Sequence, residues 1–596
     1  MTLKWLTANY AKREEMIPMR DGVALYTAIY EPADDLPHPV IMERTPYPLN
    51  PYGKSFSRDL RTRLDLFVRA GYIIVFQNVR GTFMSEGRFE NIRPLRPAGQ
   101  EDAAGTVSGN PFRETSGNTS GETVDEATDT YDTAEWLLAH CRTNGAIGVK
   151  GISYPGFYAS MAAVCGHPAI KAVSPQAPVT DWFLGDDAHL GGAFQYGMFS
   201  FGSSFFRPRP KRTNRWPRAV AQTQGDLYDF FLEKGMGVLD ELRGKVDFIG
   251  EMMRHPAYDA WWQERNVARR FREVRPAVLV VGGWFDGEDC FGTFETYRRL
   301  KKQSPDTELY LAAGPWFHGA WKRKGYATLG PADFGPGSAE YFLEKIEYPF
   351  FACYLEGKGS PGPKVRILPS AETCPGNGSV HEWEEYAAWP PQSHLRCLYL
   401  GDGRKLTPEP GKEEYAYLSD PERPVPYLAL TGSGWDRAAQ VADQRFAARR
   451  TDVLTFSGPV LQEEMKVEGP VKVHLSLSMD TDDADFIVKL IDRRPDGVQL
   501  LLRAGVLPAR FRKDFSRPEP VCPGEPFGID MELNDIAHRF LPGHRLLVQI
   551  QSSWFPLIAM SPQKYLDNPY LARPEDRRPA RITLLPGSRI DLPVME

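Results

Sequence analysis

The chain has 596 residues, 42% apolar, 12% aromatic and 25% charged, which is enough apolar surface for packed cores and too much length for one; roughly 150 residues per domain gives two to four units. Its 71 basic and 77 acidic residues are interspersed and leave a net charge of −6, so no basic stripe is offered to a nucleic acid or an anionic membrane. Seven scattered cysteines show no paired spacing that would make a disulfide framework or a structural zinc site, and no run of about 18 apolar residues offers a membrane span. The first residues have no apolar run of signal-peptide length, so the expectation is a cytoplasmic protein with reduced thiols, although a processed secreted chain would read the same.

Between residues 20 and 80, "VALYTAIYEP", "PVIMERTPY" and "GYIIVFQNV" are β-rich runs separated by Pro, Gly and Asp turn signals. Residues 93 to 127 are rich in Gly, Ser, Thr and Asn and read as a long surface loop. "TDTYDTAEWLLAHC" then reads as a helix with Thr128 or Asp129 as N-cap. A short run with Ile147, Val149 and Ile152 leads through a sharp turn into "FYASMAAVC", a buried helix. Apolar strands recur at 170 to 178, 277 to 283 and 308 to 314, and continuous apolar strands alternating with helices indicate a parallel sheet covered on both faces.

Residues 182 to 272 interrupt that pattern with aromatics, Gly, Arg and helical stretches, and read as an inserted helical cap. After about 365 the apolar period becomes two, as in "VKVHLSLSMD" and "RLLVQIQSS", without a long helix. The expected architecture is an α/β-hydrolase domain over 1–181 and 273–365, the cap over 182–272, and a β-sandwich of jelly-roll type over 366–596, with "HEWEEYAAWPPQ" at 381 to 392 as the join.

The sharp turn is "KGISYPGFYAS", which holds Ser153 in a Gly-x-Ser-x-Gly frame. A serine hydroxyl is a weak nucleophile until a histidine takes its proton, and the histidine works best when a carboxylate fixes its tautomer. In the strand-turn-helix setting the chain order is serine, acid, histidine. Asp286 follows the 277 to 283 strand in "VGGWFDGED", and His318 follows the 308 to 314 strand in "LAAGPWFHG", so both fall where strand C-termini would present them beside the serine. The competing assignment makes Ser153 an N-cap, Asp286 a turn former and His318 a satisfied loop histidine; three such residues in order and context favour the triad.

"GISYPGFYAS", "HPAIKAVSPQAPVTDWF", "GGWFDGED" and "GPWFH" resemble the serine hydrolases grouped with X-Pro dipeptidyl peptidases and cocaine esterase, most closely the bacterial α-amino acid ester hydrolases and glutaryl 7-aminocephalosporanic acid acylases. The likeness spans nearly the whole chain. It implies Ser153 as nucleophile, Asp286 as acid and His318 as base, and an oxyanion hole from the backbone N–H of Tyr154 and the phenol of Tyr47. It also implies that Asp187, Glu288 and Asp289 bind the substrate's α-ammonium. Asn78 departs from the family, whose members usually carry Asp there.

Carboxylates drawn together repel one another, and a bound cation relieves that repulsion. The expected activity is therefore hydrolysis of esters or amides through an acyl-enzyme, preferentially of α-amino acyl groups, with transfer to an amine such as a β-lactam nucleus as the synthetic variant. A glutaryl side chain would meet like charge, which ranks the acylase second unless an arginine of "RPRPKRTNRWPR" reaches the site. An esterase for uncharged bulky esters, an X-Pro dipeptidase and an inactive ligand-binding scaffold complete the alternatives. No cofactor is expected and no metal, although Asp186, Asp187 and His189 together form a weak metal-site alternative of irregular spacing. The expected partner is a small-molecule ester or amide, and self-association is left open.

Overall fold

The structure is a computed structural model that describes residues 1–95, 124–207, 209, 211–217, 219–220, 225–371 and 382–595. Most of the loop expected over 93 to 127 lies outside the described residues.

Ten strands form the first sheet: β1 (Tyr10–Pro18), β2 (Ala24–Pro32), β3 (His38–Thr45), β4 (Ile73–Asn78), β5 (Thr143–Ser153), β6 (Ile170–Pro178), β7 (Ala277–Gly283), β8 (Leu309–Gly314), β9 (Val365–Ile367) and β10 (Glu384–Tyr386), in the order β1-β2-β4-β3-β5-β6-β7-β8-β9-β10. The pairs from β4 across to β9 are parallel, while β1, β2 and β10 add antiparallel edges. Most central strand residues are buried on both faces, which accounts for their continuous apolar runs. The sheet continues to Tyr386, past the junction expected at 366, because residues 384–386 pair with 365–367.

Helices α1 (Glu126–His140) and α2 (Tyr154–Val164) cover one face, joined through Arg44, which donates to Glu126 O and Thr130 Oγ1 and lies over Tyr158. The N-cap of α1 is Asp125, not Thr128 or Asp129: Thr128 is the N3 partner of a capping box, accepting from the Asp125 N–H at 2.9 Å while its own N–H donates to the Asp125 carboxylate at 2.8 Å. Helix α3 (Cys290–Gln303) follows β7, and α4 (Tyr348–Glu356) packs so closely on β5 that a Cβ at Gly148 would sit 2.8 Å from Phe351 and Leu355.

Short helices at Tyr196–Phe205, Leu227–Lys234, Asp247–Met252 and Ala260–Arg265 make the cap. Its core is aromatic, with Tyr196 and Phe231 stacked at 4.1 Å, and it is tied to the C-terminal domain by Asn568 Nδ2 donating to Met253 O and by the Arg573–Asp240 ion pair. Beyond residue 394 the chain is β-rich, with eleven strands in one hydrogen-bonded set among the described residues. Strands Gln499–Pro508 and Phe527–Phe540 are not paired, yet a Cβ on Gly505 would meet Leu533 at 2.2 Å, so the set closes into two facing layers. The alternating burial of Val471, Val473, Leu475 and Leu477 supplies the filling between them.

Candidate active site

Ser153 is the last residue of β5 and the N-cap position of α2, with φ 69° and ψ −128°. A non-glycine residue held there stores strain of about 1–3 kcal/mol, which the packing around the turn must sustain. The flanking glycines are required: a Cβ at Gly151 would lie 2.1 Å from Pro155 O, and one at Gly156 would lie 2.8 Å from Gln176 O. The Ser153 side chain makes no capping hydrogen bond, which removes the competing assignment of a turn serine. Among the described residues its hydroxyl has no hydrogen-bond partner, at the C-terminal rim of the sheet.

Asp286 and His318 lie on the same rim, after β7 and β8. The Nδ1 of His318 is 2.8 Å from Oδ2 of Asp286, while Oδ1 accepts the backbone N–H groups of Glu288 and Asp289 at 2.9 and 3.0 Å. Burial works to raise the Asp286 carboxyl, but His318 and the two amides hold it below the ordinary carboxylate range. The other ring nitrogen of His318 has Glu288 at 3.6 Å and Asp289 at 4.0 Å, and among the described residues it makes no hydrogen bond to Ser153. Burial disfavours the imidazolium, yet Asp286, Glu288 and Asp187 outweigh it and lift the His318 pKa to about 9.

A buried network holds the His318 loop to the strands beneath it. Trp321 Nε1 donates to Gln176 Oε1 at 2.8 Å, Gln176 Nε2 donates to Glu347 Oε1 at 2.7 Å, and Lys150 Nζ meets the same oxygen at 2.5 Å. The C-terminal domain reaches the rim as well: a Cβ at Gly287 would touch Gln440 at 2.7 Å, and Arg437 lies over the ring of Phe317. Neither feature was expected from the sequence, since the partners lie far apart in the chain.

The three expected carboxylates do come together. Asp187, at φ 32°, donates its N–H to Glu288 O at 3.0 Å, and burial followed by the Glu288 charge pushes its carboxyl up to about 7. Asp289 is fully buried with both carboxyl oxygens unpartnered among the described residues; burial and the charges of Asp187, Asp186, Asp286 and Glu288 hold it well above the usual range. An unsatisfied buried polar group typically costs about 1–3 kcal/mol, more if charged, which is why burial favours the neutral form of this carboxyl. Asp186, by contrast, is consumed structurally: it accepts from the N–H groups of Gly292, Thr180 and Asp181, anchoring the first turn of α3.

His189 does not join this cluster. It is fully buried, with Nδ1 2.7 Å from Trp182 O and Nε2 2.7 Å from the Tyr570 hydroxyl, and burial lowers its pKa to about 4. The metal alternative is therefore withdrawn, and no metal-ligating group of three or more occurs among the described residues.

Tyr47 lies within the field of the carboxylates. Its phenol is raised well above its ordinary range by burial and by Asp187, Asp289 and Glu288, so it stays a protonated donor. Asn78 Nδ2 donates to Tyr47 O at 2.7 Å, which gives the departure at that position a function: an aspartate there could not donate. The ring packs against Phe205 and Trp216 of the cap. The Tyr154 N–H is the first of α2, without an intrahelical acceptor, while its phenol is fixed away by Asn91 Oδ1 and the Ile92 N–H, each at 2.7 Å.

Residues 21–320 match the X-Pro dipeptidyl-peptidase (S15 family) and residues 358–589 match the X-Pro dipeptidyl-peptidase C-terminal non-catalytic domain. Cocaine esterase of Rhodococcus sp. (strain MB1 Bresler) is 30% identical over 570 residues, covering 91% of this chain and 90% of its own. An aminopeptidase of a marine sediment Thaumarchaeota archaeon superposes with a TM-score of 0.87 at 32% identity, over 99% of this chain and 97% of its own. An alpha-amino acid ester hydrolase superposes with a TM-score of 0.86 at 33% identity, over 98% and 97% of the two chains. With a strained, uncommitted serine on the rim of an α/β sheet and both family regions matched in order, the chain belongs to the X-Pro dipeptidyl-peptidase (S15) family and is a serine hydrolase.

Proposed function

We propose that this hydrolase cleaves α-amino acyl esters and amides through an acyl-enzyme on Ser153. The observation that carries the reading is the convergence of Asp187, Glu288 and Asp289 beside His318, with the Asp289 oxygens buried and unpartnered. Two structural neighbours named for aminopeptidase and α-amino acid ester hydrolase activity support it.

His318 takes the Ser153 proton as Oγ adds to the substrate carbonyl, and Asp286 stabilises the imidazolium that forms. The Tyr154 N–H and the Tyr47 phenol receive the developing oxyanion. The bond to the leaving group breaks as His318 returns the proton to it, and water repeats the cycle on the acyl-enzyme. An α-ammonium among the three carboxyls also opposes the field that keeps His318 protonated, so a cationic substrate helps to free its own base.

A glutaryl acyl chain would place its carboxylate in that same field. Arg209, the arginine of the 207–218 stretch that reaches Phe205, contacts none of the three carboxyls: it lies over Phe83 and donates to Phe205 O. Fluorophosphonate labelling of the wild type but not of Ser153→Ala tests the nucleophile. Phenylglycine methyl ester against its des-amino analogue tests the ammonium site, with at least about a tenfold difference in kcat/KM expected for one charge-assisted contact; equal rates would remove it.

A further inference from the structure

We propose that a cationic cavity beside the site holds a carboxylate carried by the leaving group, so that the preferred amides are dipeptide-like molecules, α-amino acyl groups joined to an amino acid. The inference rests on the amino-acyl reading for the placement of the acyl end.

The cavity has a volume of about 780 Å³ and is lined by six basic side chains, Arg58, Arg61, Arg63, Lys322, Arg323 and Lys324. Its two acids, Glu43 and Asp59, are both engaged by Arg63, at 2.7 and 2.8 Å. Among the described residues none of the other five cations has a carboxylate partner, and the Nε of Arg61 is buried without any hydrogen-bond partner. Six cations against two acids leave an excess of positive charge in one concave wall, and an anion entering the cavity relieves the repulsion among them.

Its position suits the leaving group. Tyr47 lines it, and so does Thr45 at the end of β3, the strand next to the one that ends in Ser153. Lys322 belongs to the loop that begins at His318, the residue that returns the proton to the leaving group. A Cβ at Gly319 would lie 3.5 Å from Lys322 Cε and 3.9 Å from Ile152, the neighbour of Ser153, so the lysine stem passes close to the loop of the base and near the nucleophile turn. Burial and the Arg63 charge hold the Lys322 ammonium below its usual range, against the opposing charges of Glu43 and Asp59. Carboxylates thus face the acyl end and cations the departing end, which is the charge pattern of a zwitterionic substrate.

The test compares phenylalanyl-glycine with phenylalanyl-glycinamide, which differ only in the terminal carboxylate, in wild type, Lys322→Arg and the double variant Arg61→Gln, Lys322→Gln. The wild type should favour the free acid by about tenfold in kcat/KM, the preference should shrink as ionic strength rises, Lys322→Arg should keep it, and the double variant should bring the ratio close to one. Because the ratio is internal, loss of folded protein does not mimic the effect, and the salt dependence is read on the wild type alone. A wild type without preference for the acid, or a double variant that retains it in full, overturns the inference. The methyl ester comparison carries no charge on the leaving group, so equal rates for the amino and des-amino esters count against the ammonium site and leave this result to be read by itself.

Discussion

Besides Ser153, His318 and Asp286, a second serine, histidine and aspartate meet in the molecule, and theirs are the better hydrogen bonds. At the junction with the C-terminal domain, Ser370 Oγ lies 2.8 Å from His538 Nδ1, and His538 Nε2 lies 3.2 Å from Asp492 Oδ2. All three are buried, the Ser370 hydroxyl is also spent on Ala537 O, and Asp492 is shared with His544 at 2.8 Å. Ser153, on the rim, has no such bond and sits in strained backbone framed by glycines that admit no side chain. A nucleophile must keep its hydroxyl free and reachable until substrate arrives, whereas a structural serine saturates it. The sharpest break between the two is Ser153→Ala, which should lower kcat for any ester by on the order of 10⁴-fold or more while leaving thermal stability nearly unchanged, because the hydroxyl makes no capping bond and alanine keeps the Cβ that strains this backbone. Retained turnover of an amino ester by purified Ser153→Ala would refute the nucleophile.

The remaining rim residues should grade below that. Tyr47→Phe removes one oxyanion donor without changing the ring packing on Phe205, and a loss of about 10²- to 10³-fold in kcat is expected; steady-state rates unaltered by the change would leave the Tyr154 amide as the sole donor. Asp187→Asn should raise KM for phenylglycine methyl ester by about tenfold more than for the des-amino ester, and parallel changes would count against an ammonium contact. Glu288→Gln acts on the base. An anion facing His318 stabilises the imidazolium, so its removal lowers the histidine pKa from about 9. Since the base works only when neutral, the rising limb of kcat/KM against pH for a des-amino ester should move to lower pH in the variant; a limb that stays in place or moves up would show that Glu288 does not act on His318.

The turn, the order of strands and the acidic loop were legible because each is written in adjacent residues: "GISYPG" needs its glycines where the backbone closes on Pro155 and Gln176, and "WFDGED" carries Asp286, Glu288 and Asp289 within four positions. What was not legible depends on distance along the chain. Lys150 and Glu347 meet across 197 residues, and Arg61 and Lys322 share a cavity although they lie on segments from opposite ends of the domain. Asp186 and Asp187 are neighbours of one type, yet the first is spent on α3 and the second lies in the field of His318, a division that adjacent identical residues do not reveal. His189 is adjacent to the acids in sequence and faces Tyr570 in space, so proximity along the chain misled there.

The smallest expected effect on activity belongs to the buried arrangement. Ser370→Ala removes a hydroxyl that joins the hydrolase side of the junction to His538, leaving the imidazole Nδ1 and the Ala537 carbonyl each short of one partner. A lost buried hydrogen bond of this kind costs about 1–2 kcal/mol, which in a domain of roughly 200 residues lowers Tm by about 2–8 °C. Rates on both the amino and des-amino esters should stay within about twofold, since among the described residues the Ser370 hydroxyl bonds to Ala537 and His538 and not to the rim where β5, β7 and β8 end. Calorimetry beside a steady-state assay on the same preparation separates the two outcomes. A variant with unchanged Tm but a large loss of kcat would mean that the second serine takes part in the chemistry, and the distinction drawn from strain and an uncommitted hydroxyl would fail.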